Sequence, residues 1–336
     1  MHRILGALII TQTPMRITLG GGGTDVLWYS RLKGGAWISA AINKYVYIFL
    51  NKTDDPNCLK IFDGNDYYIV ESINNIKNPI VYESFKLVGI KKGVQVTTVS
   101  EVSGRSGLGG SGSFEVGLLN ALYRFQNRKV SKLKLAEGAT DFEIKKLRKA
   151  VGPQDQYIAA LGGIKYFEID RKGRVSVENL NLTKETLSTL QSNLCFFSTG
   201  IHRDAETILG DQKKKVQENT NTSKVIKALD EIKNLGIKVK EFLLKGQVDE
   251  FGKSLHEHWL IKKSLSDKVS NSKIDDWYNL ALETGALGGK IMGAGGGGWF
   301  VFYVNKNKEN FISRMSRSGL IPQSVNFDFE GTKLLT

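Results

Sequence analysis

Eleven residues, Ser103 to Ser113, read Ser-Gly-Arg-Ser-Gly-Leu-Gly-Gly-Ser-Gly-Ser. Five glycines in that span leave too little helix or strand propensity to continue either, so the backbone must turn sharply or approach something closely. A β-branched run at 93–102 precedes the segment, and Val116, Leu118, Leu119, Leu122 and Phe125 follow it on one helix face. The pattern predicts a strand ending near Val102, a glycine loop, and a helix starting near Ser111. A glycine loop entering a helix N-terminus presents unpaired N–H groups and the positive end of the helix dipole, which together bind phosphate. Serine hydroxyls in such a loop suit phosphate oxygens or a magnesium ion.

Glycine supplies 36 of 336 residues and proline only 5, and twenty of the glycines fall in the windows 20–23, 34–35, 104–117 and 285–298. A collagen repeat would need about a third glycine, and a disordered linker would lack the 41% hydrophobic content found here. Two windows imitate a dinucleotide fingerprint. Gly107-x-Gly109-x-x-Gly112 has the required order, strand before and helix after, but no acid-bearing strand follows, because 127–150 is polar and helical. Gly293-x-Gly295-x-x-Gly298 follows a helix and precedes a strand, the reverse order. A Walker A motif fails, since neither Gly289-Lys290 nor Gly252-Lys253-Ser254 has the upstream glycine.

The net charge of +13 favours an anionic partner. Lysines are scattered, with short runs such as Lys213-Lys214-Lys215, and no basic tail or RNA-binding aromatic signature occurs, so neither nucleic acid nor membrane is expected as a partner. Cys58 and Cys195 lie far apart without metal-ligand spacing, as buried thiols of a reducing compartment do. His256 and His258 do not share a helix face and lack zinc spacing. No apolar run reaches the roughly 20 residues of a membrane helix. The apolar start is short and has no small-residue cleavage site, so 8–11 reads as a first strand and the protein as cytoplasmic.

Strands are expected at 36–50, 67–71, 93–102, 164–169, 174–178, 194–199, 299–304 and about 324–329, and helix over 131–150. Three later helical patterns run through Val225, Leu229, Ile232, Val239 and Phe242, then Val248, Phe251, Leu255 and Trp259, then Ile274, Trp277 and Ala281. The polar stretch 179–192 marks a candidate boundary, and the intermixed elements predict α+β layering in two lobes.

Gly107-Leu108-Gly109-Gly110-Ser111 resembles the phosphate loop of the GHMP kinases, the superfamily of galactokinase, homoserine kinase, mevalonate kinase and phosphomevalonate kinase. Two further segments are similar to that superfamily's other motifs, in the right order. They are Thr13-Pro14-Met15-Arg16-Ile17 with Gly21-Gly22-Gly23-Thr24-Asp25, and the run from Lys290 to Gly298. Within the superfamily, Asn43-Lys44-Tyr45-Val46-Tyr47, Gln154-Asp155-Gln156-Tyr157, Thr199-Gly200-Ile201 with Arg203-Asp204, and His256-Glu257-His258-Trp259 with Lys262-Lys263 resemble the D-glycero-D-manno-heptose 7-phosphate kinases. Fucokinase domains and other sugar-1-kinases share part of this pattern. The other classes weighed are a dinucleotide-binding oxidoreductase and a catalytically silent nucleotide-binding protein.

The resemblance implies a two-lobed GHMP kinase fold, with a ribosomal S5-like N-terminal domain (1–185) and a ferredoxin-like C-terminal domain (186–336). It implies transfer of the γ-phosphoryl of ATP, with magnesium, to the anomeric hydroxyl of a phosphorylated sugar, by a monomer or homodimer serving activated-heptose and surface polysaccharide synthesis. Gly104, Ser106, Gly107, Leu108, Gly109, Gly110, Ser111, Gly112 and Ser113 would wrap the ATP phosphates, and Ser111 and Glu143 would hold the magnesium. Asp155 would be the general base and Arg16 the cation beside it. Gly22, Gly23, Thr24 and Asp25 would meet the sugar, Lys44 and Arg203 its phosphate, and Gly295 and Gly296 would approach the ligands from the last motif. The loop departs from the superfamily pattern at Ser103, Arg105, Gly110 and Gly112, which predicts a more flexible loop with fewer ATP contacts.

Overall fold

β1 (Ile9–Gly20) runs far beyond the expected 8–11, because Thr13 to Leu19 pack against its neighbour on both sides of a bulge. The computed structural model describes residues 8–64, 66–202, 205–218 and 224–335. After α1 (Leu27–Lys33), β2 (Gly35–Lys52) pairs antiparallel with β1, placing Arg16 opposite Ala41. β3 (Leu59–Phe62), β4 (Tyr67–Val70), α2 (Pro79–Val88) and β5 (Val94–Ser100) follow. α3 (Gly110–Phe125), α4 (Lys132–Asp141), α5 (Gln154–Leu161), β6 (Ile164–Ile169) and β7 (Val175–Asn179) complete the first half. β2 is shared end to end: Val46–Lys52 pairs with β5 and Gly35–Ala40 with β6. The gap between β5 and β6 lies where the chain leaves the sheet for the glycine loop.

In the second half come α6 (Lys184–Asn193), β8 (Leu194–Ser198), α7 (Ala205–Glu218), α8 (Lys224–Leu244), α9 (Val248–Lys263) and α10 (Ser272–Glu283). β9 (Gly288–Ile291), β10 (Trp299–Tyr303), α11 (Lys308–Arg317), β11 (Ile321–Gln323) and β12 (Lys333–Leu334) follow. Four of these strands form an antiparallel sheet in the order β11-β8-β10-β9, with a core that includes Phe197, Trp259, Phe300, Phe302 and Phe311. β12 crosses back to pair with β1, so the chain end closes the first sheet. The α+β layering expected from the sequence is the one observed.

Local departures have local causes. No strand spans 324–329; Phe327 makes a single bridge to Ile42, and Asp328 Oδ1 accepts from the N–H groups of Glu330 and Gly331, turning the chain. Helix does not fill 131–150 either. α4 widens into a π turn at Phe142–Lys146, and Arg148 takes a left-handed φ of 53°. The polar stretch 179–192 carries α6, capped by Thr183. β9 begins Gly288-Gly289, too glycine-rich to read as a strand.

Candidate active site

Arg16 sits where β1 has β2 on one side and, in place of another strand, the glycine loop: its backbone N–H donates to the Leu108 carbonyl at 2.9 Å. Arg16 is buried under the loop, 4% exposed. Its Nε and Nη2 both reach Asp155 Oδ1, at 2.7 and 2.6 Å, and Nη1 donates to the Gly107 carbonyl. Asp155 stands in the first turn of α5. Among the described residues its Oδ2 accepts no hydrogen bond, which leaves that oxygen to face a ligand.

A cleft of about 550 Å³ opens here, lined by Arg16, Asp25, Asp155 and the loop residues Gly104, Arg105, Ser106, Gly107, Gly109, Gly110 and Ser111. The loop delivers the chain into α3 through Gly109, whose φ of 75° puts a non-glycine residue under strain. The first N–H groups of α3 have no intrahelical acceptor and sit at its positive end, so the cleft has a built anion site. Leu108, fully buried, and Ser113 do not line it. The Ser113 hydroxyl donates to the Pro14 carbonyl at 2.8 Å, with the Gly109 carbonyl 3.2 Å away, pinning α3 to β1.

Gly112 lies within α3, where packing requires a glycine. A Cβ there would lie 2.7 Å from Asp155 Cβ and 3.0 Å from Gln156 N, so glycine is what lets α3 and α5 close on each other. At Gly110 a Cβ would meet only Met15 Cε at 3.5 Å, an ordinary contact.

Ser111 begins a second cluster. Its Oγ donates to Glu143 Oε1 at 3.0 Å, and Glu143 also accepts from Lys149 Nζ at 2.9 Å and from Gln156 Nε2 at 2.8 Å. Gln156 Nε2 reaches Glu115 Oε2 as well, at 3.0 Å. Glu115 is fully buried, and burial together with the nearby Glu143 charge pushes its carboxyl well above the usual range. Carboxylate and hydroxyl oxygens beside a phosphate loop are a donor set that fits Mg²⁺, which takes one or two carboxylates plus substrate phosphates. Gln156 Oε1, buried in the same cluster and without a hydrogen-bond partner among the described residues, adds a further oxygen acceptor.

Gly22, Gly23 and Asp25 also line the cleft. Asp25 is 3% exposed and accepts from Gln154 N at 3.2 Å. Burial, with the Asp155 charge second, raises its carboxyl from 3.8 to about 6. Thr24 lies beneath the turn and outside the lining: its hydroxyl, with one hydrogen to donate, lies 2.8 Å from the Gly21 carbonyl and 3.0 Å from the Ala36 carbonyl and accepts from Ala36 N, so it shapes the turn. Lys44, half-buried near the β2 bulge, does not line the cleft, and Arg203 lies outside the described residues.

From the last glycine run the cleft takes Gly293 and Ala294. Gly295 and Gly296 are buried against Val269, with Gly296 N donating to its carbonyl at 2.7 Å, so they support the run from behind. Lys149 and Lys262 line the cleft and Glu115 joins the Ser111–Glu143 cluster, and none of them carried a role in the sequence reading. Glu115 follows Ser111 by four residues on α3, the spacing that puts two side chains on one helix face. Lys262 continues the buried stripe of Phe251, Leu255 and Trp259 on α9.

Models of the GHMP kinases N-terminal domain and the GHMP kinases C-terminal match residues 68–163 and 239–319. The D-glycero-alpha-D-manno-heptose 7-phosphate kinase of Campylobacter jejuni is 32% identical, covering 97% of this chain and 98% of the relative. Among solved structures, a D-glycero-D-manno-heptose 1-phosphate kinase from Bacteroides thetaiotaomicron aligns with a TM-score of 0.80 and 25% identity over 98% of this chain and 99% of its own. Lactococcus lactis galactokinase complexed with galactose aligns at 0.76 and 18% identity, over 97% and 94%.

Proposed function

Because this chain belongs to the GHMP kinase family and is an ATP-dependent sugar kinase, we propose that its acceptor is D-glycero-D-manno-heptose 7-phosphate and its product the 1,7-bisphosphate. The observation that carries the substrate is the 32% identity to the Campylobacter jejuni heptose 7-phosphate kinase, sustained over almost the whole length of both chains. The Asp155–Arg16 pair beneath the phosphate loop supports the chemistry.

Arg16 holds Asp155 by one oxygen, Oδ1, which fixes the plane of the carboxylate and turns Oδ2 to the anomeric hydroxyl. As that oxygen bonds to the γ-phosphorus, its proton passes to Asp155 Oδ2, the bond from phosphorus to the bridging oxygen breaks, and ADP leaves. Charge growing on the phosphoryl oxygens is met by the N–H groups of the loop and the α3 N-terminus, already oriented before the reaction. Asp25 and the Gly22–Gly23 backbone orient the sugar. Ser111 and Glu143 would hold magnesium, which would supply positive charge to neutralise the phosphates.

On this reading residues 1–185 carry the phosphate loop and base, 186–336 close the cleft, and a cytoplasmic monomer or homodimer feeds activated-heptose and surface polysaccharide synthesis. No helix among the described residues is long and apolar enough to cross a membrane. The test supplies heptose 7-phosphate, fucose and galactose in turn with Mg-ATP and measures ADP release. Turnover is expected with heptose 7-phosphate; turnover of fucose or galactose alone would overturn the assigned acceptor.

A further inference from the structure

Lys262 ends the buried stripe of α9 and lines the cleft, although it is only 8% exposed. A lysine ammonium has three donors and no acceptor. Two of the three are used on backbone carbonyls, Ile291 O at 2.8 Å and Gly293 O at 2.6 Å. The charges acting on it are of its own sign. Burial and then the Arg16 guanidinium push its ammonium down from 10.5 to about 7. Lys290, 2% exposed, lies beside it with Nζ 3.1 Å from His258 Nδ1, and burial together with Lys262 and Arg16 holds Lys290 well below its ordinary range. Among the described residues no carboxylate pairs with Lys262 or Lys290, while Asp155 is already taken by Arg16.

A buried charge without a counter-charge is costly and is normally paired or neutralised. A tether between α9 and the last glycine run would need only a donor, which a neutral amide provides. A cation facing a cleft built for anions has a further use. Gly293, whose carbonyl Lys262 holds, lies against Gly107 of the glycine loop, and Lys262 lines the same cleft as that loop.

We propose that Lys262 is an anion-binding residue of the cleft, its third N–H donating to a phosphate oxygen of the bound substrates. The inference rests on the kinase reading above and deepens it. The phosphate has two sources, the γ-phosphoryl of the nucleotide and the phosphate of the sugar, and the experiment separates them.

Wild type, Lys262→Gln, Lys262→Met and Lys262→Arg are titrated by calorimetry with a β,γ-imido analogue of ATP, with ADP, with heptose 7-phosphate and with the unphosphorylated heptose. Glutamine keeps a donor for the two carbonyls and loses the charge. If the γ-phosphoryl is the ligand, the preference for the triphosphate over ADP falls at least tenfold in Lys262→Gln, as loss of a charge-assisted hydrogen bond implies. If the sugar phosphate is the ligand, the preference for the phosphorylated over the free sugar falls instead. Lys262→Arg recovers part of either preference. Lys262→Met, which keeps the apolar stem, gives the same comparison should the glutamine variant fail to fold. Both preferences unchanged in the neutral variants would overturn the proposal and leave Lys262 a structural tether. Binding is read without turnover, so failure of heptose 7-phosphate as acceptor leaves the triphosphate comparison standing.

Discussion

Gly107-x-Gly109-x-x-Gly112 turns into the N-terminus of α3, whereas Gly293-x-Gly295-x-x-Gly298, with the same spacing, turns into β10. The first run presents N–H groups to the cleft. The second presents mostly bare backbone to the first, so that Gly293 lies on Gly107, and Gly298 on Ser106, at distances no side chain would allow. Identical spacing therefore serves two physical ends: in front, an anion site that depends on charge and orientation, and behind it, a steric support. In the proposed mechanism the chemistry belongs to residues that share the cleft with the front loop, Asp155, Arg16 and Asp25, and the rigidity to what stands behind.

Asp155→Asn tests the front most severely. Turnover measured by ADP release is expected to fall about 10²–10⁴-fold, the usual contribution of a positioned base, with affinity for an ATP analogue nearly intact. An unchanged rate would remove Asp155 from the mechanism. Gly293→Ala tests the support. Its Cβ would stand 2.7 Å from Gly107 Cα at a φ of 66°. Overpacking and the left-handed backbone together should cost about 2–4 kcal/mol in chemical denaturation and weaken the ATP analogue. If stability and nucleotide affinity both hold, the two runs do not support each other.

Asp25→Asn probes charge without changing shape. The folded carboxyl, raised from 3.8 to about 6, binds its proton more tightly than the unfolded chain does. Wild-type stability therefore falls as pH rises from about 4 to about 6 and stays lowered above that. Asparagine should add about 1–3 kcal/mol at pH 7.5, an advantage that vanishes below pH 4, while KM for the sugar rises. Equal denaturation midpoints at pH 7.5 would show that Asp25 carries no such burden. The smallest effect is expected for Gly110→Ala, whose Cβ meets only Met15 Cε at 3.5 Å. Stability should change by less than about 1 kcal/mol, with a small gain from helix propensity, and a large loss of ATP affinity would mean that the front loop is steric as well.

Much of this was legible beforehand because it is local. The turn at Ser103–Ser113, the helix after it, the β-branched strands and the apolar stripe of α9 follow from neighbouring residues. Asp155, Arg16, Ser111 and Glu143 were named from motif resemblance, and the fold brings them to one cleft, although they are up to 139 residues apart. Thr24, Ser113, Gly295 and Gly296 were named from the same motifs and lie just outside it. A motif records that a residue is constrained, and a hydroxyl tied to a carbonyl is as constrained as one facing a ligand.

The amino-acid sequence by itself determined many of the strands and helices, the glycine turn into α3 and the kinship, since each depends on propensity and short-range pattern. Only the tertiary structure decided that Gly112 is obligatory and Gly110 is not, and that Glu115 joins Glu143. It alone showed that Lys262 lies buried at the edge of the cleft with no carboxylate paired to it among the described residues. Those facts depend on which distant backbone or charge lies within a few ångströms, and no local pattern encodes that distance.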